Sequence, residues 1–215
     1  MQHQPEQASL TLPDGLHDVP ADRIAAVVTS LEMKSRPALR PEMSGPWQLR
    51  RLERPEPEAY RALYSKVGDE WIWFSRLMMS DAELTAILWH PEVEVYGLDV
   101  SGQLEGLLEL DYRIEGEAEL AFFGVTASLV GGGAARWLMN RALEKAWQRP
   151  ISRFWVHTCT LDHPNAVAFY MRSGFVPFRR QIEIAPDPRL QGVSLASRQR
   201  TPVLATPSSG GKPGL

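Results

Sequence analysis

The run from Glu119 to Arg136, ELAFFGVTASLVGGGAAR, constrains this chain more than any other stretch. AFFGV is a short apolar run that reads as a buried strand. A brief turn leads to three consecutive glycines, Gly131, Gly132 and Gly133. The following AARWLMNRALEKAWQ continues as a helix. A strand, a glycine-rich turn and a helix start together form an anion cradle. The first helical N–H groups have no intrahelical acceptor, and the helix dipole favours negative charge there. Glycine lets the backbone come close to a phosphate and tolerates positive φ. A phosphorylated ligand is the first expectation.

Three glycine-rich loops compete for this reading. A Walker loop places Lys-Ser or Lys-Thr after its last glycine. Here Ala134 and Ala135 follow, which excludes it. A dinucleotide fingerprint requires G-x-G-x-x-G and an acidic residue about twenty positions on. This chain has Arg136 at the last glycine position and no such acid. The third candidate is a pyrophosphate loop of the form V-x-P-x-x-R/Q-G-x-G-x-G/A-x-x-L. Val125, Ala127, Val130, Gly131, Gly133, Ala135 and Leu138 occupy its places, with Ala127 replacing the proline and Val130 the Arg or Gln. Downstream, HTCTLDHPNAVAFYMRSGFVPF contains Ala166, Phe169, Tyr170, Gly174 and Phe175 at the spacing of a second signature, N-x-x-A-x-x-L/F-Y-x-x-x-G-F. His163 stands at its Asn position, with Asn165 two residues later.

On these two motifs, residues 47–180 resemble the GCN5-related N-acetyltransferases (GNAT). The resemblance implies an α+β fold, a mostly antiparallel sheet splayed near the cofactor and flanked by helices. It implies acetyl-coenzyme A as cosubstrate and an amine on a small molecule or peptide as acceptor, with no metal. Phe123, Gly124 and Val125 would hold the pantetheine and acetyl carbonyl. The backbone of Val130, Gly131, Gly132, Gly133, Ala134, Ala135 and Arg136 would hold the pyrophosphate, with His163 and Asn165 beside the cofactor. Tyr170 matches the family tyrosine that protonates the leaving thiolate. A phenol with a pKa near 10 is a suitable partner for a thiolate of similar basicity. Glu119 stands where a carboxylate base often lies, and Glu109 on the neighbouring strand is the alternative. Trp71, Trp73 and Phe74, with Trp89, fall in the region that walls the acceptor pocket. Arg76 among them would either meet an acceptor carboxylate or lie at the surface. The other reading is a catalytically silent acyl-coenzyme A binding or regulatory module.

His157 and Cys159 share a strand face, but no second spaced pair completes a zinc set. His157 reads as a packed strand histidine. No Cys-His-Asn pattern supports an acyl route through Cys159, the only cysteine. A lone cysteine suits a reducing cytoplasm. The 215 residues carry a net charge of −3 and are 44% hydrophobic, enough for one real core. This balance lacks the basic footprint of a nucleic-acid binder, and no run reaches membrane-span length. No secretory signal is visible at the start.

Residues 1–46 read as an N-terminal extension with one helix. In Pro20 to Ser35, Ile24, Val27, Val28 and Leu31 recur at helical spacing. Residues 47–185 form the acetyltransferase domain. Strands are expected at Trp47–Leu52, Val93–Asp99, Gln103–Arg113, Glu117–Val125, Arg153–Thr158 and Phe175–Ile184. Helices are expected at Pro55–Val67, after an N-cap at Asp81, at Ala134–Gln148 and at Pro164–Ser173, the last closed by Gly174. Residues 186–215, rich in Pro, Ser and Gly, read as a loose tail. A second copy of the chain, in a homodimer, is one expected partner.

Overall fold

The computed structural model describes residues 12–193 and 201–204. Residues 1–11 of the expected N-terminal extension and residues 194–200 and 205–215 of the expected loose tail lie outside the described residues. The strands are β1 (Arg23–Met33), β2 (Trp47–Arg51), β3 (Val93–Val100), β4 (Gln103–Asp111), β5 (Glu117–Val125), β6 (Arg153–Cys159) and β7 (Val176–Pro186). The helices are α1 (Pro57–Gly68), α2 (Asp81–Leu88), α3 (Ala134–Ala146) and α4 (Ala166–Arg172). Among the described residues the strands form one sheet in the order β2-β3-β4-β5-β6-β1-β7. The β5–β6 pair is parallel and the others are antiparallel. This is the mixed, mostly antiparallel α+β sheet flanked by helices that the sequence implies.

Helices cover both faces. On β3 and β4 the even positions Tyr96, Leu98, Leu108 and Leu110 pack with α3 and α4, while Val93, Val95 and Leu107 pack with α1 and α2. Side chains alternate across a strand, so two covered faces require apolar residues of both parities. α1 buries Tyr60, Leu63, Tyr64 and Val67, its expected stripe. α3 buries Leu138, Met139, Ala142 and Leu143. Each large apolar side chain removed from water stabilises the fold by about 1.5–3 kcal/mol. α2 begins on a capping box. Ser80 is its N-cap and exchanges hydrogen bonds with Glu83, so Asp81 is the first helical residue rather than the cap.

The helix expected over Pro20–Ser35 is instead the eleven-residue strand β1. It lies between β6 and β7 and pairs with both. Ile24 and Ala26 point to one face, beside Ile72, Phe74 and Leu161; Leu31 and Met33 point to the other, against α4 and Phe175. The buried positions therefore change parity midway along the strand. The helical spacing of Ile24, Val27, Val28 and Leu31 thus marks no single buried face: Val27 is exposed and Val28 half-buried. The tail also departs from expectation at its start. Asp187 and Pro188 are buried, Asp187 forms an ion pair with Arg189, and the Arg189 guanidinium donates to the Thr201 carbonyl. Asp187 N–H donates to the Asp22 carbonyl, which ties this segment to the entry of β1.

Candidate active site

β5 and β6 pair only at Glu117–Arg153, Ala118–Phe154 and Glu119–Trp155. Beyond Glu119 the two strands separate. Ala121 is an extra residue on β5 between the pairs Glu109–Phe122 and Leu110–Leu120. Such a bulge re-aims a strand and leaves backbone groups unpaired. A cleft of about 760 Å³ fills the gap, lined by β5 from Glu119 to Val125 and β6 from Val156 to Cys159.

The glycine loop closes one end. Val130, Gly131, Gly133, Ala135 and Arg136 line the cleft, whereas Gly132 and the buried Ala134 do not. Gly131 (φ +82°) and Gly133 (φ +92°) require a left-handed backbone, and Gly133 is the N-cap of α3. Gly132 N–H donates to the Leu129 carbonyl and Trp137 N–H to that of Gly133. Among the described residues the N–H groups of Gly131, Gly133, Ala134, Ala135 and Arg136 have no backbone acceptor. A cluster of donors at a helix N-terminus suits a pyrophosphate. Gly124, on the wall leading to this loop, approaches Val67 so closely that an added Cβ would lie 2.6 Å from its Cγ1. These residues fit coenzyme A: an anion cradle at one end and a narrow strand-lined channel beside it.

α4 carries Tyr170 into the cleft wall. The helix ends in a Schellman turn. Phe175 N–H donates to the Tyr170 carbonyl, Gly174 N–H donates to that of Met171, and Gly174 has φ +106°. The Tyr170 ring packs on Phe175 and Phe123, at centroid distances of 5.9 and 6.3 Å. Its hydroxyl forms no hydrogen bond among the described residues. Burial, with the nearby Asp162 charge, pushes its pKa well above the ordinary value, so it stays protonated. His163 and Asn165 line the same wall; Asn165 N–H donates to His163 Nδ1, and the His163 ring lies 5.0 Å from Trp71.

Opposite, Glu119 lies 3.5 Å from His157 Nδ1. The sequence reading missed this histidine as a functional candidate. Its side chain is half exposed in the cleft rather than packed. The Glu119 carboxylate is the main cause that raises its pKa, opposed by burial and assisted by Asp162 and Glu183. Glu119 and His157 share a face because Glu119 pairs with Trp155, a register between distant segments that strand parity alone does not give. Cys159, on the same strand, has its thiol pushed up to about 11 by burial and Asp162.

Trp71, Trp73 and Phe74 line the cleft, with the Trp73 indole donating to Asp162. Trp89 does not line it; its indole donates to the Pro55 carbonyl at the surface. Arg76 lines the cleft too and is not a surface residue. Its side chain is 9% exposed and forms an ion pair with Glu109. Burial opposes the Arg76 charge, but Glu109 outweighs it and raises the guanidinium pKa. Glu109 is fully buried, accepts from Tyr60 as well as Arg76, and does not line the cleft, which removes it as a candidate base. Among the described residues no group of His, Cys, Asp and Glu is arranged to hold a metal ion.

The model of the acetyltransferase (GNAT) family matches residues 49–175, more than half of the chain. The chain belongs to the GNAT family. Its fold is shared with solved GNAT structures at low identity. The GCN5-related N-acetyltransferase from Sphaerobacter thermophilus is 17% identical, with a TM-score of 0.56 over 75% of this chain and 51% of that one. A tandem GNAT protein from the clavulanic acid biosynthesis pathway is 17% identical, with a TM-score of 0.51 over 79% and 54%. The chain thus spans about half the length of these two structures. An aminoglycoside acetyltransferase from an uncultured soil metagenomic sample, crystallised with trehalose, is 14% identical, with a TM-score of 0.50 over 60% and 88%. No curated protein matches the chain. The cleft of this chain opens where the parallel strands β5 and β6 part. No helix among the described residues is long and apolar enough to cross a membrane.

Proposed function

We propose that this GNAT protein transfers the acetyl group of acetyl-coenzyme A to an amine, by direct attack within a ternary complex. One observation carries the reading: a single cleft joins the unpaired N–H groups around Gly131–Arg136 to Tyr170 and to the Glu119–His157 pair. The thioester supplies an activated acetyl group and a thiolate leaving group. The residues of this chain bind, orient and move protons. The loop N–H groups hold the pyrophosphate, and the backbone of Phe123 to Val125 lies along the channel. An N–H aimed at the acetyl carbonyl stabilises the charge that develops there.

An ammonium must lose a proton before it can attack. Glu119, with His157 beside it, is the acceptor of that proton. The buried Tyr170 hydroxyl is the donor to the departing sulfur. A cysteine whose thiol is pushed up to about 11 is a poor nucleophile near neutral pH, which favours direct attack over an acyl-Cys159 route. The acceptor half carries the aromatic faces of Trp71, Trp73 and Phe74 together with Glu119 and Glu183. That lining suits an amine that arrives as a cation.

The test is release of free coenzyme A thiol across a panel of amines, with binding of acetyl-coenzyme A measured separately by calorimetry. Amine-dependent thiol release supports the enzyme. Tight cofactor binding with no release on any amine supports the silent module instead.

A further inference from the structure

β7 is an edge strand of eleven residues, and its outer edge pairs with no strand among the described residues. Every residue from Val176 to Ile184 is exposed. The opposite edge, β2, has five residues, and its Arg50 and Arg51 are held in ion pairs with Asp99, Glu53 and Glu94. A short edge is a usual protection against strand addition, and a long one with exposed apolar residues invites it, provided that the added strand matches its charges, here Arg179, Arg180 and Glu183. On β7, Ile182 (53% exposed) and Ile184 (55%) lie opposite Val27 and Ala25 of β1, and Val27 is itself 38% exposed. They form one apolar patch on that face.

The strand is also complementary to itself. Arg179 lies opposite Ser30 and Glu183 opposite Ala26, positions of equal parity, so both side chains share one face of the sheet. Two copies of β7 running antiparallel about a two-fold axis at Gln181 place Arg179 opposite Glu183 of the partner subunit. The same register sets Glu183 against Arg179 of the partner subunit and Ile184 against Phe178 of the partner subunit. A two-fold axis generates each contact twice. Opposite charges directly across a ladder stabilise it and like charges destabilise it. Moving the axis to Arg180 or Ile182 loses both charge pairs. Pro177 and Pro186, which have no N–H to donate, bracket the segment so paired.

We infer that the chain forms a homodimer by antiparallel pairing of its two β7 edges about Gln181, which joins both sheets into one. Glu183 lines the catalytic cleft. In the dimer, Arg179 of the partner subunit therefore sits at the rim of each cleft.

The test is the mass of the full chain by light scattering, over concentrations up to about 100 μM, a range that reveals association of micromolar strength. The expected mass at the upper end is twice the 24.1 kDa of the monomer. Arg179→Glu and Glu183→Arg should each weaken the dimer by roughly tenfold or more, since each reversal replaces two attractive cross-strand pairs by repulsive ones. The double variant Arg179→Glu/Glu183→Arg should restore it. Both residues are exposed, and circular dichroism checks that each variant keeps its fold. A monomer at every concentration overturns the inference. So does a dimer that neither single reversal weakens, because its contact then lies elsewhere.

Discussion

At the scale of single residues, the proposed chemistry rests on Tyr170 and on the Glu119–His157 pair. Tyr170→Phe keeps the ring packed on Phe123 and Phe175 and removes only the hydroxyl. Turnover should fall by about 10², the usual contribution of a proton donor, while calorimetry finds acetyl-coenzyme A affinity unchanged. Glu119 raises the pKa of His157 above its ordinary 6.5. If the unprotonated pair accepts the amine proton, kcat/KM climbs with pH through a midpoint above that value. Glu119→Gln removes the raising charge, so the midpoint should move to lower pH while the plateau falls. A pH profile whose midpoint stays in place would show that His157 does not take part. The sequence made Tyr170 and the loop glycines legible because both belong to spaced motifs. His157 and Arg76 were not legible, because their roles depend on pairing between distant segments. His157 acquires its partner only where β5 and β6 meet in parallel. Arg76 is drawn inside by Glu109, thirty-three positions away. Its removal should be costly: Arg76→Ala leaves a fully buried carboxylate without its cation, a loss of about 3–5 kcal/mol readable in urea denaturation.

At the scale of elements, the glycine loop and the α4 turn hold the cleft open in complementary ways. Valine at Gly131 or Gly133 forces a β-branched residue into positive φ and crowds the donors of the cradle. Calorimetry should show acetyl-coenzyme A affinity at least about tenfold weaker in both variants, with thermal stability monitored in parallel. At Gly133 the added Cβ would also lie 3.1 Å from Met43 Sδ, closer than ordinary van der Waals contact, so Met43 must give way. Gly174→Ala tests the Schellman turn. The residue holds φ +106°, and its new Cβ would lie 3.1 Å from Pro37 Cβ. A loss of about 1–3 kcal/mol in chemical denaturation is expected. Most elements were readable because one pattern dominated each: the stripe of α1, the apolar residues on both faces of β3, the apolar run of β5. β1 was not, because its two halves bury opposite faces, and no single period describes such a strand. The tail misled for another reason. Its Pro, Ser and Gly content is that of a loose segment, yet Asp187 and Arg189 dock its first residues through charge and hydrogen bonds that composition does not register.

At the scale of the whole molecule, the family match begins at residue 49, but the sheet does not. A chain begun at Trp47 would keep both motifs and lose β1, leaving β7 with no strand to pair with and Phe175 partly uncovered. It should fail to give a cooperative thermal transition, whereas the full chain should melt in one step. A cooperative melt of the shortened chain would show that β7 can reach β6 unaided. The position of β1 also imposes an order on assembly. Val27 exchanges hydrogen bonds with Thr160, 133 positions away, and the strand's other neighbour is made later still. During synthesis at about 5–20 residues per second, β1 is made roughly 7–27 seconds before its first partner strand exists. Throughout that interval Leu31 and Met33 lack α4 and Phe175 to pack against, and both edges of the strand are open. A sheet built this way closes as one late event, by contacts between segments about 133 positions apart or more. The protein's yield in a cell is then set by how well the waiting segment is shielded, and so by chaperone supply as much as by the stability of the finished fold.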